Sequence, residues 1–141
     1  MNIRKAVLSD CPEIAGLTEQ LGYSGDAEKT KTILTGVLSQ QDYGVFVGTT
    51  DEKVIGWIQL HRAISLETGA YVEIMGLVVD DQYRGQGLGR LLVKEATDWA
   101  RSIGGCRLRV RCNVIRTESH KFYESIGFKL KKEQKVFDSL L

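Results

Sequence analysis

The stretch from Tyr71 to Arg101 constrains this chain more than any other. Val72 to Val79 is a β-branched, apolar run that reads as a buried strand. Arg84 to Gly89 is a glycine-rich turn, with Gly85, Gly87 and Gly89 at alternate positions. From Leu88 the spacing becomes helical, and Leu88, Leu91, Leu92, Ala96, Trp99 and Ile103 fall on one stripe. Strand, glycine turn and helix start together aim unpaired backbone N–H groups and the positive end of a helix dipole at one point. That is an anion site, and its natural occupant is a phosphate. Two nucleotide loops are excluded by spacing. The dinucleotide fingerprint G-x-G-x-x-G needs glycine where Arg90 stands, and the triphosphate loop needs Gly-Lys-Ser/Thr at its end.

The 141 residues predict a single domain over 1–141 with one core. A net charge of +1 gives no bulk attraction for a polyanion, so no nucleic-acid partner is expected. No long apolar run is present, and Met1 to Asp10 lacks the hydrophobic centre of a signal peptide. No membrane partner is expected, and the cytoplasm is the default location. Cys11, Cys106 and Cys112 form no paired framework, which suits a reducing compartment. They lack zinc-ligand spacing, with only His61 and His120 to join them, so no metal is expected.

Taken in order, Ile3 to Val7 reads as a short strand. Ser9 or Asp10 can cap a helix with Pro12 in its first turn and Ile14, Leu17 and Leu21 on one face. Gly22 to Gly25 breaks it, and Ser24 or Asp26 can cap a second helix carrying Ile33, Leu34, Val37 and Leu38. Tyr43 to Val47 and Val54 to Leu60 read as strands on either side of a polar turn. Arg62 to Gly69 has weak periodicity and is predicted as a loop. After the central strand and helix, Gly104-Gly105 supplies a C-cap. Cys106 to Cys112 alternates, with Cys106, Leu108, Val110 and Cys112 on one face and Arg107, Arg109 and Arg111 on the other. A helix from Thr117 or Glu118 to Ile126 stops at Gly127, and a last strand is expected from Phe128 towards Phe137. The order is β-α-α-β-β-β-α-β-α-β, a mixed α/β domain.

Two motifs now point to a family. Arg84-x-x-Gly87-x-Gly89 resembles the R/Q-x-x-G-x-G/A signature of the GNAT superfamily of acyl-CoA-dependent N-acetyltransferases. Asn113 to Phe128 resembles that superfamily's C-terminal motif N-x-x-R-x-x-A-H-x-F-Y-E-x-x-G-F, departing from it in Ser119 where alanine is usual. The resemblance covers the whole chain and is strongest from Glu73 to Phe128. It implies the GNAT fold, a mixed, mostly antiparallel central sheet whose central strands splay apart. It also implies acetyl-CoA as cosubstrate and transfer of its acetyl group to a primary amine.

By the same resemblance, Tyr123 is the general acid. A phenol with pKa near 10 stays protonated at neutral pH and can protonate a departing thiolate. Glu73 is the candidate base, a carboxylate in an otherwise apolar strand where desolvation raises a pKa. It acts directly or through water; alternatively it faces solvent or pairs with an arginine of 107 to 111. Backbone groups of Leu77, Val78 and Val79 are expected to bind the cofactor's pantetheine arm and polarise the thioester. The run Arg84, Gly85, Gln86, Gly87, Leu88, Gly89 and Arg90 is expected to wrap the pyrophosphate of coenzyme A. Asn113 contacts the cofactor arm or closes a strand-end turn, and Arg116 serves an outer phosphate or only begins a helix. Period-two alternation places Glu73, Met75, Leu77 and Val79 on one face and Ile74 and Val78 on the other, and Gly76 permits a bulge that would shift this register.

For the acceptor amine, the resemblance points to residues near Leu21 to Glu28 and His61 to Ala70. Tyr23, Asp26 and Glu67, with Glu73, would give an aromatic and mildly acidic lining suited to a cationic small amine. The motif around His120 and Tyr123 is similar to small-molecule branches such as aminoalkylphosphonate and aminoglycoside acetyltransferases, with a polyamine as a further candidate acceptor, whereas Arg109-Val110-Arg111 before Asn113 is similar to the branch that acetylates protein N-termini. Three readings therefore stand: a small-molecule N-acetyltransferase, a protein or peptide N-terminal or lysine acetyltransferase, and a non-catalytic acyl-CoA sensor. The resemblance also implies that a homodimer is possible.

Overall fold

A computed structural model describes all residues 1–141. The chain divides into two compact units, Met1–Val110 and Arg111–Leu141. The first unit is a five-stranded sheet in the order β1-β2-β3-β4-β5. Its strands are β1 (Asn2–Lys5), β2 (Tyr43–Thr50), β3 (Lys53–Ser65), β4 (Gly69–Val79) and β5 (Leu108–Val110). The first four pair antiparallel as a meander, and β5 alone runs parallel to its neighbour β4. That parallel step needs a crossover, supplied by helix α3 (Leu88–Ser102).

Helices α1 (Cys11–Glu19) and α2 (Ala27–Leu38) cover one face of the sheet, and α3 covers the other. Under α1 and α2, Ile14, Leu17 and Leu34 join Val45, Val47, Trp57 and Val78 in one buried cluster. On the α3 side the sheet presents Gly44, Gly48 and Gly56. The aliphatic and indole side chains of Leu88, Leu92 and Trp99 lie so close to these positions that an added Cβ would collide with them. Three glycines in strands that would otherwise carry large residues thus let α3 sit low on the sheet. The buried stripe of α3 is Leu88, Leu92, Val93, Ala96 and Ala100, while Leu91 is 39% exposed. The predicted stripe therefore turns by one position at Leu91.

The helix starts follow local chemistry, with one change. Asp26 caps α2, its Oδ1 accepting from the N–H groups of Glu28 and Lys29 at 3.0 and 3.3 Å. Asp10 precedes α1 but makes no side-chain cap. Its buried carboxylate accepts two bonds from Arg4, each 2.8 Å, and one from the Val7 N–H. The guanidinium hydrogen bond holds the Asp10 carboxyl below the usual carboxylate range, against the opposing effect of burial.

Two local expectations change. Arg62 to Gly69 is not a loop, because β3 runs to Ser65 and β4 begins at Gly69 as one long hairpin. Its outer part has exposed residues of both kinds, among them Ile64 at 71% and Leu66 at 107%, so no buried face imposes an alternating pattern. The β-strand expected from Phe128 towards Phe137 does not form, and Leu130 to Leu141 is exposed without ladder partners of its own. In the second unit the regular element is α4 (Thr117–Ser125). Four lysines, Lys129, Lys131, Lys132 and Lys135, interrupt the apolar residues of that tail and leave it no continuous face to bury.

Candidate active site

Strand β4 carries the chemistry of the first unit, and its register places each side chain. Leu60 pairs with Ile74 and Gln59 with Gly76, so Met75 is an extra residue and the strand bulges there. The predicted strict alternation therefore breaks as Gly76 allowed. Beyond the bulge Val78 lies opposite Trp57 and joins the cluster under α1 and α2, on the same face as Glu73. Leu77 and Val79 turn to the other face, opposite Ile58 and Gly56. Gly76 is required by close approach. A Cβ there would meet the Trp57 ring at 2.8 Å.

Only Val72, Glu73 and Ile74 pair with β5. From Met75 to Val79 the strand continues with β3 on one side and no partner on the other, so its backbone N–H and C=O groups on that edge are available to a ligand. Glu73, half-buried, stands one residue before the split. It lies opposite His61 on β3 and Arg109 on β5, the arginine neighbour foreseen as the alternative to a free base.

The glycine loop follows. Asp80 closes a short 3-10 turn over Asp81–Tyr83 by accepting from the Gln82 N–H, and Gln20 accepts from the Asp81 N–H at 2.9 Å. Gly85 and Gly87 have φ of 77° and 89°, a left-handed geometry that glycine enters freely. A Cβ at either would meet nothing within 4 Å, so both positions face open space. The first turn of α3 begins at Leu88, and its first backbone bond runs from the Leu91 N–H to the Gly87 carbonyl at 3.1 Å. The N–H groups of Leu88, Gly89 and Arg90 lie before it and have no carbonyl four residues back to reach. These residues fit a pyrophosphate. Arg84 contributes differently from expectation: its Nε donates to the Val79 carbonyl at 3.2 Å, tying the loop back to β4. Arg90 is exposed beside the loop.

The expected acceptor residues are dispersed. Tyr23 is 69% exposed on the α1–α2 connection, Asp26 is spent as a helix cap, and Glu67 sits at the exposed hairpin tip. Sequence reasoning passed over Trp57 and Gln59. Trp57 and Gln59 floor a cleft of about 180 Å³ between α1 and α2, walled by Ile14, Thr18, Ile33 and Leu34. The Trp57 Nε1–H is buried there without a hydrogen-bond partner. The signal was a tryptophan and a glutamine at alternate positions of an otherwise aliphatic strand.

In the second unit, Asn113 closes a turn. Its Oδ1 accepts from the Ile115 N–H at 3.2 Å, and its carbonyl accepts from the Arg116 N–H and lies 3.0 Å from His120 Nε2. Arg116 stands at the start of α4 without a side-chain cap. Tyr123 is buried, edge-on to Phe122 and Phe128 with ring centroids at 5.1 and 5.4 Å. Burial pushes its phenol pKa up, the nearby Cys112 adds to the rise, and the Arg116 charge opposes it. The phenol therefore holds its proton across the whole physiological range.

Comparison with known proteins agrees with this geometry. Residues 10–128 match the model of the acetyltransferase (GNAT) family. A glucosamine 6-phosphate N-acetyltransferase of Trypanosoma brucei brucei is 28% identical over 93% of this chain and 82% of its own length. An aminoalkylphosphonate N-acetyltransferase of Salmonella typhimurium is 35% identical over 55% of this chain and 51% of its own. Among solved structures, AAC(6')-Iy in complex with the bisubstrate analog CoA-S-monomethyl-acetylneamine superposes with a TM-score of 0.88 at 17% identity, covering 99% of this chain and 98% of that one. The splayed sheet, the glycine loop at the start of α3 and the match across both units have one meaning: this chain belongs to the GNAT family of acetyltransferases and is an acyltransferase with acetyl-CoA as donor.

Proposed function

We propose that the protein acetylates the primary amine of a small molecule by direct attack. The observation that carries this reading is the parting of β4 from β5 after Ile74, one residue beyond Glu73, with the open loop of Gly85 and Gly87 at the start of α3. Acetyl-CoA supplies a thioester carbonyl and a thiolate leaving group. Glu73 takes the proton that an alkylammonium must lose before it can attack, directly or through water. Backbone N–H groups among Leu77, Val78 and Val79 hold the carbonyl oxygen as negative charge develops on it, a contribution of about 3 kcal/mol for one donor. Tyr123 donates its O–H proton to the departing sulfur. Its raised pKa keeps it in the donating form. Asn113 and Arg116 take outer parts of the cofactor. Supporting a small acceptor are the relatives named for glucosamine 6-phosphate and aminoalkylphosphonates.

The test is acetyl-CoA-dependent thiol release across polyamines, aminoglycosides, aminoalkylphosphonates, amino acids and short peptides. A small-amine acceptor is expected, with Tyr123→Phe lowering turnover ~10²-fold while coenzyme binding stays nearly unchanged. Turnover confined to peptides would replace the small-molecule reading with a protein acetyltransferase. Tight acetyl-CoA binding with no acceptor at all would leave the sensor reading. Pairing of protomers, implied by the family resemblance, is read from sedimentation of the same preparation.

A further inference from the structure

Four strands bring four polar side chains into one transverse row. Tyr43 pairs with His61, His61 with Glu73, and Glu73 with Arg109. The row continues the sheet face that holds Val45, Val47 and Trp57 under α1 and α2. Tyr43 and His61 stack, with ring centroids 4.4 Å apart and planes 12° from parallel. The Arg109 guanidinium lies over the Tyr71 ring at 4.7 Å. Its Nη2 is buried and has no hydrogen-bond partner. The other arginine of this hairpin region, Arg62, is engaged with Asp42 at 3.8 Å. Arg109 is thus a cation fixed beside the candidate base.

We propose that Arg109 makes the acceptor site selective for amines that also carry an anionic group, as a phosphonate, phosphate or carboxylate, close to the nitrogen. The inference rests on the small-amine reading above and narrows its substrate class. Two physical facts carry it. First, a guanidinium keeps its charge at every working pH and presents N–H groups in a fork matched to a carboxylate or phosphonate. The buried, unsatisfied Nη2–H gains most from such a partner. Second, neighbouring strands lie about 4.8 Å apart. Glu73 and Arg109 are partners across those two strands, so an amine seated at Glu73 has the Arg109 cation for a neighbour. A polycation meets the opposite situation, with its second charge brought against Arg109 and repelled. The row therefore sorts amines by the charge of their near neighbour.

The experiment compares kcat/KM for 2-aminoethylphosphonate, β-alanine, propylamine and spermidine at saturating acetyl-CoA, in the wild type, Arg109→Gln and Arg109→Lys. The wild type is expected to favour an anion-bearing amine over propylamine by tenfold or more. Arg109→Gln should cut that ratio at least tenfold, chiefly through KM, and Arg109→Lys should recover part of it. The phosphonate and carboxylate arms decide which anion the site takes. Independently of any variant, methylphosphonate or acetate should inhibit the wild type in competition with the amine and not with acetyl-CoA. A wild type that prefers propylamine or spermidine overturns the inference, as does a ratio unchanged in Arg109→Gln; either result leaves the small-amine reading standing. Absence of turnover with every amine removes both.

Discussion

Gly87 offers a test of the phosphate cradle with its own control. Its φ of 89° places any L side chain in the left-handed region, and Gly104 at the far end of α3 has φ of 80°. A Cβ at either position would meet nothing within 4 Å. The alanine variants therefore share one cost. Left-handed backbone costs alanine about 1–2 kcal/mol, and the smaller entropy of its unfolded chain returns about 0.4–1 kcal/mol. The net loss is about 1 kcal/mol for each, a fall in Tm of about 4 °C for a chain of this size. The two sites differ in what the added methyl faces. At Gly87 it enters the open side of the loop, where a pyrophosphate would sit against backbone N–H groups. At Gly104 it lies at the other end of a helix of 15 residues, about 22 Å away at 1.5 Å per residue. Losing one charge-assisted hydrogen bond is worth about 1.5–3 kcal/mol, so Gly87→Ala should weaken acetyl-CoA binding tenfold or more. Gly104→Ala should stay within about twofold, since the methyl there is remote from the loop. Calorimetric melting and acetyl-CoA titration of both variants supply the four numbers. Equal coenzyme affinity in the two would refute the cradle, even if both lose the expected stability.

Three further predictions follow from the geometry. Gly76→Ala pushes a Cβ to 2.8 Å from the Trp57 ring, an overpacking cost of about 1–3 kcal/mol that urea unfolding would register; an unchanged midpoint would mean that the indole moves freely. Arg4→Ala leaves the buried Asp10 carboxylate with only the Val7 N–H, and after discounting for the exposure of Arg4 we expect a loss of about 1–2 kcal/mol at pH 7. Because the Asp10 pKa is depressed in the folded state, this difference from wild type is present above about pH 4 and vanishes as pH falls through the folded pKa, which paired acid titrations would follow. Tyr123 has the opposite sign: its folded pKa is raised, so it contributes stability below about pH 10 that is lost as pH rises further. Tyr123→Phe should flatten that alkaline decline in a denaturation series, and an identical decline would place the phenol in water.

The parts legible in the sequence are those set by local chemistry. The β4 run, the glycine loop and the amphipathic α3 announce themselves through residue type and spacing, and of the two cap candidates for α2, Ser24 and Asp26, it is Asp26 that caps it. What escaped depends on partners distant in the chain. The Asp10 carboxylate looks like a cap, yet Arg4 outcompetes the helix end with two short bonds. The strand predicted over Cys106 to Cys112 shrinks to Leu108–Val110 because β4 turns away after Ile74. The hairpin beyond Arg62 is held by backbone ladder bonds, to which side-chain patterning contributes little. Arg109 was visible only as one of three alternating arginines, and its place beside Glu73 is a matter of register. Register between strands 36 residues apart is not written in either strand alone.

The order of the sheet also bears on how the first unit assembles. Strands β1 to β4 stand in the sheet as they stand in the chain, apart from the helices inserted after β1, so hairpin closure can build β2-β3-β4 from near neighbours. The parallel β4–β5 pair is different. It must wait until α3 has folded and brought Leu108 back to Val72, and non-local closures of this kind are the slow ones. The three-residue ladder beside the gap between β4 and β5 is therefore expected to close late in folding and, being so short, to open early when the native state fluctuates.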